Sequence, residues 1–162
     1  MSSETDPHRS AGSGADESQV RPPGTLRWVP LIMLGGALGT AARASLEAWL
    51  PPSPTGLPWV TLGINLLGSC MLGLLLGALS GAAPDRGLRR AVRLTLGTGI
   101  LGGFTTYSTF MVETAERLRS GHAVLALAYL VGSVVACLGA AALGISMASR
   151  VRHAHQRRRS TT

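Results

Sequence analysis

The chain has 162 residues, 46% of them hydrophobic and 14% charged, with a formal net charge of +7. Soluble domains carry about 25% charged residues, so the composition excludes an ordinary water-soluble domain and fits a small membrane unit of up to four spans. All the basic residues are arginines, and they gather at the ends of apolar runs, which is a membrane pattern and argues against a nucleic-acid surface.

Residues 1–26 are polar, rich in Ser, Gly and Pro, with acids mixed in. Such a segment cannot bury enough apolar surface to order itself. It reads as a disordered cytoplasmic tail with no signal peptide.

Four apolar runs follow, at about 28–50, 59–83, 91–117 and 122–149, each near the ~20 residues that cross a bilayer. An all-α membrane protein of four transmembrane helices is predicted, with a basic tail over 150–162. Trp28, Trp49 and Trp59 stand at run ends, where an indole suits the interface.

The first run contains GGALGTAAR (35–43), with Arg43 one turn before Glu47. Arg43 has two readings: a helix-end cation paired with Glu47, or a cation that concentrates anions at a pore mouth. The prolines of PPSPTGLP (51–58) stop this run. The second contains TLGINLLGS (61–69), with Asn65 mid-span, and a small-residue ridge at Gly73, Gly77 and Gly81. Asn65 reads either as an interhelical hydrogen bond or as an amide offering N–H donors to an anion.

The third run holds GTGILGGFTTYSTF (97–110), with four glycines, five Ser or Thr hydroxyls and a tyrosine where a plain apolar helix would be expected. The short RSGH (119–122) then turns the chain into the fourth run. Cys70 and Cys137 lie inside apolar runs without metal or redox spacing and read as small core residues.

Polar groups inside membrane spans are costly and face a bundle interior or a water path. Here they are Asn, Ser, Thr and Arg, all hydrogen-bond donors, while Glu47, Glu113 and Glu116 fall toward helix ends and Asp85 in a loop. A lining of donors without a deep acid favours an anion.

These segments resemble the Fluc/CrcB family of fluoride channels. GGALGTAAR, TLGINLLGS, GILGGFTTYSTF and YLVGS (129–133) match in order and spacing over residues 28–149. The resemblance implies a dual-topology dimer of antiparallel four-helix subunits, embedded in membrane lipid, with two fluoride pores. It implies a third helix broken mid-membrane, whose freed carbonyls, here those of Gly102 and Thr105, hold a structural sodium ion that is not transported. Irregular backbone at that depth is tolerated where it is buried in protein or lines a cavity, Gly permits the break, and a hard cation suits carbonyl oxygen.

The fluoride pore would be lined by Asn65, Tyr107, Phe110, Ser108, Thr109, Tyr129 and Ser133, with Arg43 at the vestibule. Tyr107 and Phe110, three apart, share a helix face and can point positive ring edges at an anion; the bland alternative is aromatic packing. The family usually has Phe where this chain has Tyr107, and often Phe where it has Cys70.

Twelve of the fifteen arginines fall in the two tails and the loop after the second run. That bias predicts both termini in the cytoplasm of a bacterial cell. It also argues for one fixed orientation, and so for pairing with an oppositely inserted homologue rather than a homodimer. The function implied is passive fluoride exit that limits toxicity. The alternative is a small four-span dual-topology cation or drug exporter, which would want a deep carboxylate. A non-transporting membrane scaffold would show no ion flux. An enzyme is not indicated, because no nucleophile–base pair or metal cluster is visible.

Overall fold

The computed structural model describes residues 26–50, 56–81 and 86–159. The tail over 1–25 and the prolines at 51, 52 and 54 lie outside the described residues. Among the described residues every regular element is helical.

A short 3₁₀ turn, Leu26–Trp28, leads into α1, Val29–Trp49. Pro30 sits in its first turn, where a missing N–H costs nothing. Helix α2 is Trp59–Leu79, and Ser80 beyond it is extended. The expected run to 83 is therefore cut short, with Gly81 following.

The 91–117 run is assembled from pieces. Helix α3, Gly87–Val92, passes into a π-helical stretch, Arg93–Leu101, and then α4, Gly102–Phe104. The Gly102 N–H reaches back to the Gly97 carbonyl, one residue further than an α-helix would. At Thr105 the backbone becomes extended, with ψ 154°, and helix resumes as α5, Ser108–Arg119.

Gly121, at φ +80°, then reverses the chain. The His122 N–H bonds the Arg117 carbonyl at 2.9 Å and the Gly121 N–H bonds Leu118 at 3.1 Å, a Schellman closure that favours glycine. Helix α6, Ala123–Arg159, has 37 residues and continues past the expected end at 149. The sequence from Val151 to Arg159 contains neither Gly nor Pro and four good helix-forming arginines.

Helices α1, α2 and α6 are long and apolar enough to cross a membrane, with mean hydropathies of 1.3, 2.0 and 2.3. Their packing is inside-out by soluble standards. Ile64 is the largest fully buried side chain, while Leu34, Leu38, Leu127, Val135 and Leu138 are exposed. A surface of that kind suits lipid.

Small residues bring the backbones together. Helix α2 packs along α6, and α1 packs along the π-helical stretch and α4. A methyl on Gly73 would strike the Ala141 carbonyl, and one on Gly144 would strike that of Cys70. Across the other seam, a methyl on Gly39 would meet the Ile100 carbonyl and one on Gly103 that of Gly36. In lipid, where burial of apolar surface no longer drives association, such contact supplies much of the attraction.

Candidate functional site

The extended residues between α4 and α5 leave peptide groups without helical partners. Asn65, on α2, meets them. Its side-chain Nδ2 donates to the Thr106 carbonyl at 2.9 Å, and its Oδ1 accepts the Thr106 N–H at 2.9 Å. The amide thus pairs with both backbone groups of one residue, as a neighbouring strand would. One Nδ2 hydrogen remains beyond this pairing.

Thr106 in turn starts α5. Its Oγ1 accepts the Thr109 N–H at 3.2 Å and donates to Thr109 Oγ1 at 3.0 Å, while Ser108 Oγ lies 3.4 Å away. This is the side-chain capping expected of Thr at a helix start.

These two bonds have a consequence for Gly102 and Thr105. In a continuous α-helix the Gly102 carbonyl would receive the Thr106 N–H, and the Thr105 carbonyl the Thr109 N–H. Both N–H groups are spent on side chains instead. The two carbonyls lose their helical donors, and oxygen of that kind is what a hard cation takes.

A groove of about 450 Å³ runs beside the segment. Asn65, Gly102, Thr105, Thr106, Tyr107, Phe110 and Ser133 are in its wall. The Ser133 hydroxyl is buried and has no hydrogen-bond partner among the described residues. Ser133 also borders a smaller apolar cavity of about 190 Å³ lined with Trp59, Leu62 and Tyr129.

Phe110 is buried, its ring 5.1 Å from that of Tyr129 and 6.5 Å from that of Tyr107. Tyr107 is 75% exposed, so the two rings of the motif differ in setting: one is fixed in the fold and one stands at its surface.

A polar cluster continues one turn beyond Phe110. The Glu113 carboxylate accepts from Thr61 Oγ1 at 2.6 Å and from the Tyr129 hydroxyl at 2.9 Å. Arg117 donates to the Glu113 carbonyl at 2.7 Å and to the Gly56 carbonyl at 2.5 Å, with its guanidinium 5.5 Å from the Tyr129 ring centre.

The structure therefore brings Asn65, Tyr107, Phe110, Ser133, Gly102 and Thr105 to one groove, with Tyr129 behind Phe110. Ser108 and Thr109 are not in its wall; they lie at the start of α5. Arg43 is also apart, paired with Glu47 at 3.2 Å on α1.

Sequence reasoning missed Thr61, Thr106, Glu113 and Arg117. Thr61 stands four residues before Asn65, and Glu113 three after Phe110, so helical register would have put each on the face of a residue already singled out. Glu113, expected toward a helix end, sits in the middle of α5, because the interruption at Thr105 restarts the helix only at Ser108.

Residues 30–145 match the family described as CrcB-like protein, Camphor Resistance (CrcB). The chain is 52% identical over 108 residues to a fluoride-specific ion channel FluC 1 of Cutibacterium acnes, covering 67% of this chain and 76% of that protein. It is 37% identical over 123 residues to the FluC 1 of Streptomyces coelicolor, with 76% of this chain and 78% of the relative covered. Identity to the FluC 1 of Mycobacterium bovis is 40% over 126 residues, with 78% and 93% covered.

Proposed function

This chain belongs to the CrcB-like family, and from that premise we propose how it works as a fluoride-selective ion channel. It is a multi-pass bacterial membrane protein and not an enzyme. Fluoride that enters an acidified cell as neutral HF dissociates inside, and the channel lets the anion leave passively.

The observation that carries the reading is the groove wall itself: Asn65, Phe110 and the unpartnered Ser133 hydroxyl lie together beside an interrupted helix. Fluoride is small and strongly hydrated. A pore must replace its water with donors while binding weakly enough to release it. The second Nδ2 hydrogen of Asn65, the Ser133 hydroxyl and the ring edges of Phe110 and Tyr107 are donors of graded, modest strength.

The finer architecture is part of the proposal. The pieces from Gly87 to Arg119 together make the third of four crossings, broken near the bilayer middle. The protein works as an antiparallel dimer, so that each open groove is completed by a second subunit. The Gly102 and Thr105 carbonyls, deprived of their helical donors, hold one structural sodium ion between subunits; the ion supplies fixed positive charge and cross-links the breaks. The arginine bias supports a single insertion direction, termini inside, and a partner of opposite bias.

The reading is tested by fluoride efflux from liposomes that hold this chain alone or with a homologous partner. Phe110→Ile is expected to leave a folded protein and to lower flux by at least about tenfold, a barrier increase of roughly 1.4 kcal/mol. Undiminished flux in a folded Phe110→Ile variant would remove the groove from the path. Cysteines placed in the terminal tails and in 51–58 report orientation: an impermeant reagent added outside is expected to label the 51–58 cysteine and leave those in the tails unlabelled, and labelling of both sets contradicts fixed insertion.

A further inference from the structure

The charged residues at the end of the protein where α2 stops and α6 runs on are almost all arginine. Arg86, Arg89, Arg90 and Arg93 surround α3, and Arg150, Arg152, Arg157, Arg158 and Arg159 belong to the end of α6, against one acid, Asp85. One arginine of each set, Arg152 and Arg89, lies against the end of α2. Arg152 donates to the carbonyls of Gly77 and Ser80 at the end of α2. A Cβ on Gly81 would lie 3.5 Å from Arg89 Nη2.

The bonds of Arg152 also fix the rotation of α6. At about 100° per residue, positions 150, 153 and 157 fall between about 100° and 160° away from Arg152. They form one stripe turned away from α2, and Arg150 and His153 are exposed.

The height of this stripe follows from helix length. At about 1.5 Å per residue, the 37 residues of α6 reach about 55 Å, against about 30 Å of hydrocarbon. The apolar part ends near Ser149, so Arg150 and His153 stand at the level of the phosphates and position 157 just outside it.

We propose that this end of the protein is a binding surface for anionic phospholipid, with Arg150 and His153 meeting the headgroup phosphates and the α3 arginines flanking them. Arg152 is its positioning residue: it spends its charge on α2 carbonyls and thereby turns the stripe outward. Basic residues next to a membrane raise preference for anionic lipid by about fivefold each near the surface. The guanidinium fork also matches phosphate geometry. The proposal needs only that the chain spans a membrane and is independent of what the groove conducts.

The test uses the full chain purified from a detergent mixture of phosphatidylglycerol and phosphatidylcholine, with retained lipid counted by mass spectrometry. The retained ratio of phosphatidylglycerol to phosphatidylcholine is expected to exceed the bulk ratio by at least about fivefold. It should fall toward the bulk ratio in Arg150→Gln/His153→Gln and stay high in Arg119→Gln, at the opposite end of α6. A bulk-like ratio in the unaltered chain, or equal loss in Arg119→Gln, would overturn the proposal.

The unaltered chain gives a second readout that depends on no variant. Its thermal midpoint should rise with short-chain phosphatidylglycerol and not with phosphatidylcholine. An equal rise with inorganic phosphate alone would assign the site to a soluble anion and overturn the lipid assignment.

Discussion

Two seams of this protein are rich in glycine and use it for opposite ends. Along α2 and α6, Gly73 and Gly144 let two unbroken helices touch backbone to backbone. Along α1 and the segment from Arg93 to Phe104, Gly39 and Gly103 make similarly close contacts, but the opposing backbone is π-helical and then leaves the helix. The first seam is closed by shape along its length, with Arg152 bonding the end of α2. The second needs Asn65 and Thr106 to replace hydrogen bonds that the helix gave up. Glycine permits close approach in both; side-chain amides and hydroxyls decide whether the backbone may also break.

The comparison is broken most severely at the first seam. Gly73→Leu puts a side chain into the Ala141 carbonyl with no room to relax, and we expect no folded protein, read as loss of the monodisperse peak in size-exclusion chromatography. Recovery of a folded, conducting Gly73→Leu protein would mean that α2 and α6 do not meet this way.

Asn65→Asp comes next. It removes the Nδ2 donor and sets a carboxylate against the Thr106 carbonyl. The expected cost is roughly 1–3 kcal/mol of stability, read as a lower thermal midpoint, together with near-complete loss of fluoride flux. Asn65→Ala should share the stability loss without adding charge, which separates the clamp from electrostatic exclusion of the anion.

Sodium removal sharpens the second seam from another side. If the Gly102 and Thr105 carbonyls hold the ion, replacing sodium by a large organic cation lowers flux and thermal stability together, and adding sodium back restores both. Indifference to the swap would assign the freed carbonyls to water.

Glu113→Gln should be the mildest. The amide can still accept from Thr61 or Tyr129 but no longer from both through equal oxygens. A several-fold change in flux with an intact fold is expected, by liposome efflux. A loss as large as that of Asn65→Asp would make Glu113 part of the conduction path rather than a support for Tyr129.

Much of the first seam was legible in the sequence. Hydropathy and glycine spacing mark α1, α2 and α6, because a lipid-facing helix repeats one simple demand along its length. The interruption was also foreshadowed by four glycines and a cluster of hydroxyls in 97–110. What could not be read was the partner. The amide of Asn65 meets Thr106 across 41 residues of chain, and nothing local tells which hydroxyl caps and which faces the groove. Ser108 and Thr109, grouped with the pore by their chemistry, stand in the first turn of α5, outside the wall of the groove. The long reach of α6 escaped notice because polarity was read as the end of the helix, whereas arginine ends a membrane span without ending a helix.

The most direct measurement is the ratio of fluoride to chloride efflux from liposomes containing this chain, with and without a homologous partner. The account predicts fast fluoride efflux with very little chloride. Chloride leaving as readily as fluoride would contradict it.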